Sequence, residues 1–425
     1  MRKQMISSLT ALALFVGGYA SLVGIGGTST VEAAQAVSSF KDVPASHWAS
    51  SAIYSAVEKG YFKGYADGTF KPGLPVTKAE MASILARLND QPELPTAEPN
   101  HFTDVPEWAK NGVSTAIAKG FIHPSSYKDK LSAQAALERG EMAEWLTQGL
   151  SVVDSDYGQA LSDVTNTVIP AKEYFTGKLA DSQKNAVAVA LGTGLMSVAN
   201  DKTFGVNRTT TRAEVAVLLS RYASVAKTKP ADLQGLNELR QVGLTGTNLS
   251  VIAPRYQKTS KNKFLDSYDY SKVTTDFSQV RNKDLVTITN YADVKLRNWI
   301  IVNPYTIESK RSIFYPVFVD EKDSLLRGSY YSFAEFDLNI KDSMTQLQAG
   351  SLLQSPSINP LKSPNSNSFL EYSVPHINDF LSNKGVFKVK NPTYWSTGLL
   401  HFDKSLTTQV KVIAKDGTDF NMTAN

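Results

Sequence analysis

Three basic residues share one local setting. Lys78 lies in Val76-Thr77-Lys78-Ala79-Glu80, Arg139 in Leu137-Glu138-Arg139-Gly140-Glu141, and Arg212 in Thr210-Thr211-Arg212-Ala213-Glu214. A Thr followed three residues later by Glu is a capping box, so Thr77 with Glu80 and Thr211 with Glu214 each open a helix. The middle copy has Glu138 at the Thr position and keeps Glu141 as its cap candidate. Each basic residue falls in the first helical turn, where the macrodipole disfavours a cation by a few tenths to about 1 kcal/mol. An unfavourable choice made three times points to chemistry outside the helix. A cation beside the N–H donors of a helix start suits a carboxylate or phosphate. The alternative is a solvated surface charge beside a structural cap.

Apolar residues after each Glu recur at i, i+3, i+4 and i+7, one buried helix face. They are Met81, Ile84, Leu85 and Leu88, then Met142, Trp145 and Leu146 with Gly149 in the last place, then Val215, Leu218, Leu219 and Tyr222. Upstream of the first copy, Phe40-Lys41-Asp42-Val43 precedes a helix carrying Trp48, Ala52, Ile53 and Ala56, with Gly60 as its stop. Gly64-Tyr65-Ala66-Asp67-Gly68-Thr69-Phe70 then forms a tight turn. The plan of helix, turn-rich loop and helix returns about every sixty residues. Asp104, Trp108 and Gly120 answer Asp42, Trp48 and Gly60; Asp163 and Gly192 answer in the third copy, after an insertion and without a Trp. Residues 89–100 and 226–235 read as linkers. Such short units bury too little alone, so three are expected to share one core around a pseudo-threefold axis.

Phe-x-Asp-Val, Trp-Ala-x-x-Ala-Ile, Gly-Tyr-x-Asp-Gly-Thr-Phe-x-Pro and Thr-Arg-Ala-Glu together resemble the S-layer homology (SLH) domain. Residues 40–225 resemble its usual run of three. The resemblance implies an all-α, pseudo-trimeric three-repeat bundle that binds secondary cell wall polysaccharide on Gram-positive peptidoglycan, often through a pyruvate ketal. By resemblance the basic residues Lys78, Arg139 and Arg212 contact the ligand. The first lacks the Arg fork and the second has an acidic neighbour, so the Arg212 groove is expected to bind best and the Arg139 groove least. Trp48 and Trp108 are expected in the core, with sugar stacking as the alternative. Asp42, Asp104 and Asp163 are caps or acceptors for sugar hydroxyls. Thr77, Glu80, Glu141, Thr211 and Glu214 are structural caps.

The chain of 425 residues is 42% apolar and 20% charged, with a net charge of +4. That charge is too weak to suggest nucleic acid. The absence of Cys excludes disulfides and thiol chemistry. Arg2 and Lys3, an uncharged stretch over residues 5–27 and Ala34-Gln35-Ala36 read as a cleaved signal peptide, residues 1–36. The expected layout is 37–90, 101–150 and 159–226 for the repeats, then 236–425. No membrane span is expected in the mature chain.

From residue 236 the helical spacing fades. β-favouring runs appear at 249–252, 285–289, 299–302, 312–319, 386–390 and 408–413. They imply a mostly antiparallel β domain, with a sandwich as one form of it. No catalytic motif stands out: His376 and His401 lack metal-ligand spacing, and Asp320-Glu321-Lys322-Asp323 lacks the alternation of a calcium loop. Gly328–Phe333 is a strand rich in Tyr, or a binding edge. The expectation is a non-enzymatic surface protein with no cofactor, in or beside an S-layer, partnered by wall glycan and by itself or other S-layer subunits. The alternative is an SLH-anchored glycan hydrolase.

Overall fold

The computed structural model describes residues 39–306, 311–320, 328–353, 355, 357–361, 367–401 and 409–424. The expected signal peptide and Glu321 to Asp323 lie outside them. Among the described residues no helix is long and apolar enough to cross a membrane.

The helical part contains α1 (Ser50–Glu58), α2 (Lys78–Leu85), α3 (Lys110–Ala118), α4 (Arg139–Val153), α5 (Ser155–Asp163), α6 (Lys172–Phe175), α7 (Asp181–Gly192) and α8 (Arg212–Val225). The three segments that lead into α2, α4 and α8 meet one another. Val76 N–H donates to Thr210 O at 3.0 Å, Thr210 N–H to Leu137 O at 2.9 Å, and Leu137 N–H to Val76 O at 2.8 Å. Three hydrogen bonds thus close a ring through three stretches far apart in sequence.

The same exchange satisfies the helix starts. The N–H groups of Lys78 and Ala79 donate to Ala135 O and Ala133 O, those of Arg139 and Gly140 to Arg208 O and Val206 O, and those of Arg212 and Ala213 to Leu74 O and Pro72 O. The third donor of α2 and α8 goes to Thr77 and Thr211, both in complete capping boxes with Glu80 and Glu214. These donors are therefore taken up by neighbouring loops, and the expected anion site at the helix starts is already filled by carbonyls.

Each repeat's loop is pinned by one carboxylate. Asp42 accepts from the N–H of Phe70 and Lys71, both at 2.8 Å. Asp104 accepts from Leu131 and Ala133. In the third repeat the acceptor is Glu173, which takes the N–H of Phe204 and Gly205 at 2.9 and 2.7 Å. Asp163, expected in this place, ends α5 and pairs with Arg240 at 2.9 Å. The inserted helix α5 had shifted the alignment. The helix-stop glycine shifts likewise: Gly194, with φ +70°, matches Gly60 and Gly120, both at +73°, where Gly192 was expected. Left-handed backbone of this kind favours Gly.

Gly149 has a packing reason. A Cβ there would lie 2.2 Å from the Phe121 ring and 2.9 Å from the Tyr222 hydroxyl. Gln91, inside the expected linker 89–100, is buried and bonds Gly149 O and the Tyr222 hydroxyl. The second expected linker runs into a short 3-10 turn, Pro230–Asp232, and then α9 (Gln234–Thr245), whose Leu236, Leu239 and Val242 join the core of the repeats.

After α10 (Leu249–Ile252) come β1 (Tyr256–Lys258), β2 (Val273–Thr274), β3 (Ala292–Val302), α11 (Tyr315–Phe318), β4 (Ser329–Ile340), α12 (Gln346–Gly350), α13 (Asn367–Tyr372), β5 (Thr393–His401), β6 (Gln409–Ile413) and β7 (Asp419–Ala424). β3, β4 and β5 form an antiparallel sheet in that order. β7 pairs with β1 and β6 antiparallel and with β2 parallel. The run at 299–302 falls in β3, and residues 409–413 of the last run form β6. The run at 249–252 is helical, and 312–319 contains the α11 turn rather than a strand. Residues 285–289 and 386–390 make only isolated bridges, through Leu285, Val386 and Phe387. Gly328–Phe333 enters β4, the middle strand of its sheet.

Two apolar cores result. One runs from Val43 through the repeats to Val302, Phe333 and Trp395. The other joins Val294, Trp299 and Phe336 of one sheet to Val412 and Phe420 of the other. Trp299, Phe277 and Phe420 make its aromatic centre, with Phe277 set edge-on to Phe420 at 5.3 Å.

Candidate functional site: a groove between repeats

The three basic side chains each reach into another repeat. Arg212 donates through Nε to Phe70 O at 2.8 Å and through Nη2 to Lys63 O at 2.9 Å. Its guanidinium lies 4.5–5.0 Å from the ring centres of Phe62, Tyr65 and Phe70. Arg139 repeats the arrangement, with Nε on Phe204 O and Nη2 on Ser197 O, both at 2.9 Å, and Phe204 beneath it. Both arginines are buried, and burial lowers the pKa of each. They brace the loop of the adjoining repeat, which explains the recurrent cation in an unfavourable helical turn.

Lys78 cannot make a fork and does something else. Its Nζ lies 2.8 Å from Glu141 Oε2. Glu141 also accepts the Tyr127 hydroxyl at 2.6 Å, and Tyr127 in turn accepts Trp145 Nε1 at 2.8 Å. Burial, and then Glu141, push the Tyr127 pKa far up. Glu141 is thus an ion-pair partner and not the expected cap; Glu138, its N-cap, makes no side-chain capping bond.

Trp48 and Trp108 are 68% and 60% exposed, which corrects the expectation of core residues. They precede α1 and α3 instead of lying on the buried helix face. Trp48 lines a groove of about 290 Å³ with Arg139, Arg208, Glu214, Arg221 and residues 196–200. The groove therefore draws on all three repeats. Arg208 Nη2 sits 2.6 Å from Glu214 Oε1, and Arg139 Nη1 is 4.0 Å from the same oxygen. Three guanidinium groups against one carboxylate leave an excess of positive charge beside an exposed indole. Such a site can hold an anionic group while a sugar face lies on the ring.

Local sequence spacing places this groove last in expected strength and assigns no role to Arg208 or Arg221. A signal existed for Arg221: it stands seven residues after Glu214, as Arg87 stands seven after Glu80. Asp42 and Asp104 have their carboxylates committed to backbone. Among the described residues no His, Asp and Glu cluster fit for a metal ion occurs. His401 meets Ser329 at 2.7 Å and His376 meets Asp379 at 3.3 Å.

Comparison with known proteins agrees with this architecture. The S-layer homology domain family model matches residues 39–82 and 180–216. An S-layer protein of Bacillus licheniformis is 26% identical over 235 residues, covering 54% of this chain and 25% of that protein. The cellulosome-anchoring protein of Acetivibrio thermocellus is 34% identical over 116 residues, 26% of each. S-layer protein EA1 of Bacillus anthracis is 25% identical over 289 residues, 65% of this chain and 31% of its own. The chain thus carries S-layer homology domain sequence over those two stretches, and its S-layer and surface-protein relatives support a place at the cell surface, at the wall and S-layer. It spans about a quarter to a third of the length of these curated relatives.

Proposed function

We propose that this chain is a secreted surface protein moored non-covalently, through its repeats, to pyruvylated secondary cell wall polysaccharide, as an S-layer subunit or an associate of one. The observation that carries the reading is the groove of Trp48, Arg139, Arg208 and Arg221. A pyruvate ketal presents a carboxylate fixed to a sugar ring, and the groove offers guanidinium groups beside an exposed indole at a matching scale. The cellulosome-anchoring name of one relative is consistent with mooring. We read the repeats as a pseudo-threefold bundle, supported by the ring of hydrogen bonds through Val76, Leu137 and Thr210. The two C-terminal sheets, which share a core, are read as a small sandwich.

On this reading the protein binds and does not turn over its ligand. Cosedimentation with purified sacculi tests it. Full-length protein should pellet with intact sacculi and remain in solution once the pyruvate has been removed. Equal pelleting with both would sink the ketal assignment.

A further inference from the structure

The sheet of β3, β4 and β5 has one face in the second core. Its other face is divided. At one end Ile300, Val302, Phe333 and Trp395 pack into the core of the repeats. At the other end the face turns polar and opens on a cavity of about 560 Å³, walled opposite by Thr165–Thr167, Tyr174 and Lys184 of the helical part. A bulge marks the change: Leu296 pairs with Phe336, but Asn298 pairs with Glu335, so Arg297 is the extra residue. Bulges re-aim side chains in this way. A hollow of about 470 Å³ shares Lys295, Arg297 and Asp337 and carries the cleft on toward Pro392 and Thr393.

The floor of this cleft is cross-linked by hydrogen bonds and ion pairs. Arg281 donates to Arg297 O, Gly243 O, Asn166 O and Asn298 Oδ1, at 2.8–3.0 Å, and so ties α9 and the helical loop to β3. Asp337 is held by Arg297 at 2.5 Å and by the Thr393 hydroxyl. Asn298 holds Glu335, whose pKa burial raises. Four lining groups are uncommitted. The Tyr174 hydroxyl, the side-chain amides of Asn166 and Asn282, and the Lys295 ammonium have no hydrogen-bond or ion-pair partner among the described residues. A cavity with several uncommitted polar groups can meet the hydroxyls of a polyhydroxylated ligand. Around the larger cavity Lys184, Arg281, Lys295 and Arg297 face Glu335 and Asp337, a positive surplus with Lys295 unpaired among the described residues; the adjoining hollow adds the carboxylates of Asp284 and Asp293, so the anion's place is the larger cavity.

We propose that this cleft is a second saccharide site, taking an anionic glycan segment whose hydroxyls meet Tyr174, Asn166 and Asn282 and whose carboxylate or phosphate meets Lys295. It binds by hydrogen bonding and one ion pair, without the indole stacking of the first groove. Glu335 and Asp337 share a face of β4, as a hydrolase pair would, but their bonds to Asn298, Arg297 and Thr393 commit them to holding the sheet. The site is independent of the wall-anchoring groove.

The test is calorimetry on the full chain carrying Trp48→Ala and Arg208→Ala, which blinds the first groove. Three probes are titrated: secondary polysaccharide purified from sacculi, the same polymer with its carboxylates reduced to alcohols, and poly(glycerol phosphate). Residual binding at one site per chain is expected for the carboxylated polymer, the phosphate polymer or both, and the preferred probe identifies the anion. Adding Lys295→Ala should weaken that binding tenfold to a hundredfold, as loss of a charge-assisted bond does. Tyr174→Phe, which keeps the ring, should weaken it severalfold. The proposal is overturned if the blinded protein binds no probe, if Lys295→Ala binds as before, if the reduced polymer binds as well as its parent while poly(glycerol phosphate) does not bind, or if reducing ends are released. Cosedimentation of wild type and of the blinded variant with sacculi, run in parallel, gives the first groove's share by difference.

Discussion

Arg212→Ala separates bracing from ligand binding. The arginine is 8% exposed and holds two carbonyls of the first repeat, at 2.8 and 2.9 Å, across three aromatic rings. Hydrogen bonds from a charged donor contribute about 1.5–3 kcal/mol each. Part of that offsets the desolvation of the guanidinium, a cost the variant no longer bears. The two carbonyls left behind are poorly placed to find water. The net loss should be about 3 kcal/mol, which shifts the folding equilibrium on the order of a hundredfold. Equilibrium urea unfolding measures it, and hydrogen exchange should show the loop of residues 62–71 losing protection first. Arg212→Lys should recover little, because an ammonium cannot span both carbonyls with a planar fork. A loss below about 1 kcal/mol, with that loop still protected, would refute the bracing role. Wild-type stability together with lost wall binding would restore Arg212 as a ligand residue.

Trp48→Ala should leave the urea midpoint unchanged, since the ring is exposed, while weakening cosedimentation with sacculi about tenfold or more; an unaltered pellet would remove Trp48 from the site. Asp42→Ala and Glu173→Ala should each cost about 1–3 kcal/mol by orphaning two backbone N–H groups, and a thermal or urea series should rank them alike despite their different alignment to the repeat. Glu335 has a folded-state pKa raised by burial, so its contribution to stability is complete below the unfolded-state pKa and is lost as pH rises through the folded one. Glu335→Gln should therefore gain on wild type between acidic and neutral pH in paired urea titrations, and parallel curves would contradict this.

The residues that the sequence made legible were those whose role is local. Capping boxes at Thr77 and Thr211 follow from four-residue spacing and form as expected. What it hid was set by contacts between repeats. The backbone donors of Lys78, Arg139 and Arg212 are filled by carbonyls from other repeats, which no local pattern records. Glu173 replaced Asp163 because an inserted helix moved the loop's acceptor and the longer side chain still reached the same two N–H groups. Helical spacing puts Trp48 on the buried face of α1, yet the residue precedes that helix. In the C-terminal half, Leu249–Ile252 and Tyr315–Phe318 have β-favouring side chains but wind into single turns against the cores, where packing overrides propensity.

The most direct test of the anchoring account is cosedimentation of the full chain with sacculi, comparing wild type with a Trp48→Ala, Arg208→Ala double variant. Both should be checked for equal urea midpoints first. The account predicts that wild type pellets with intact sacculi and stays in solution after acid extraction of the secondary polymer, and that the double variant pellets with intact sacculi at least about tenfold more weakly than wild type. A double variant that pellets like wild type would contradict the placement of the wall-binding site in this groove.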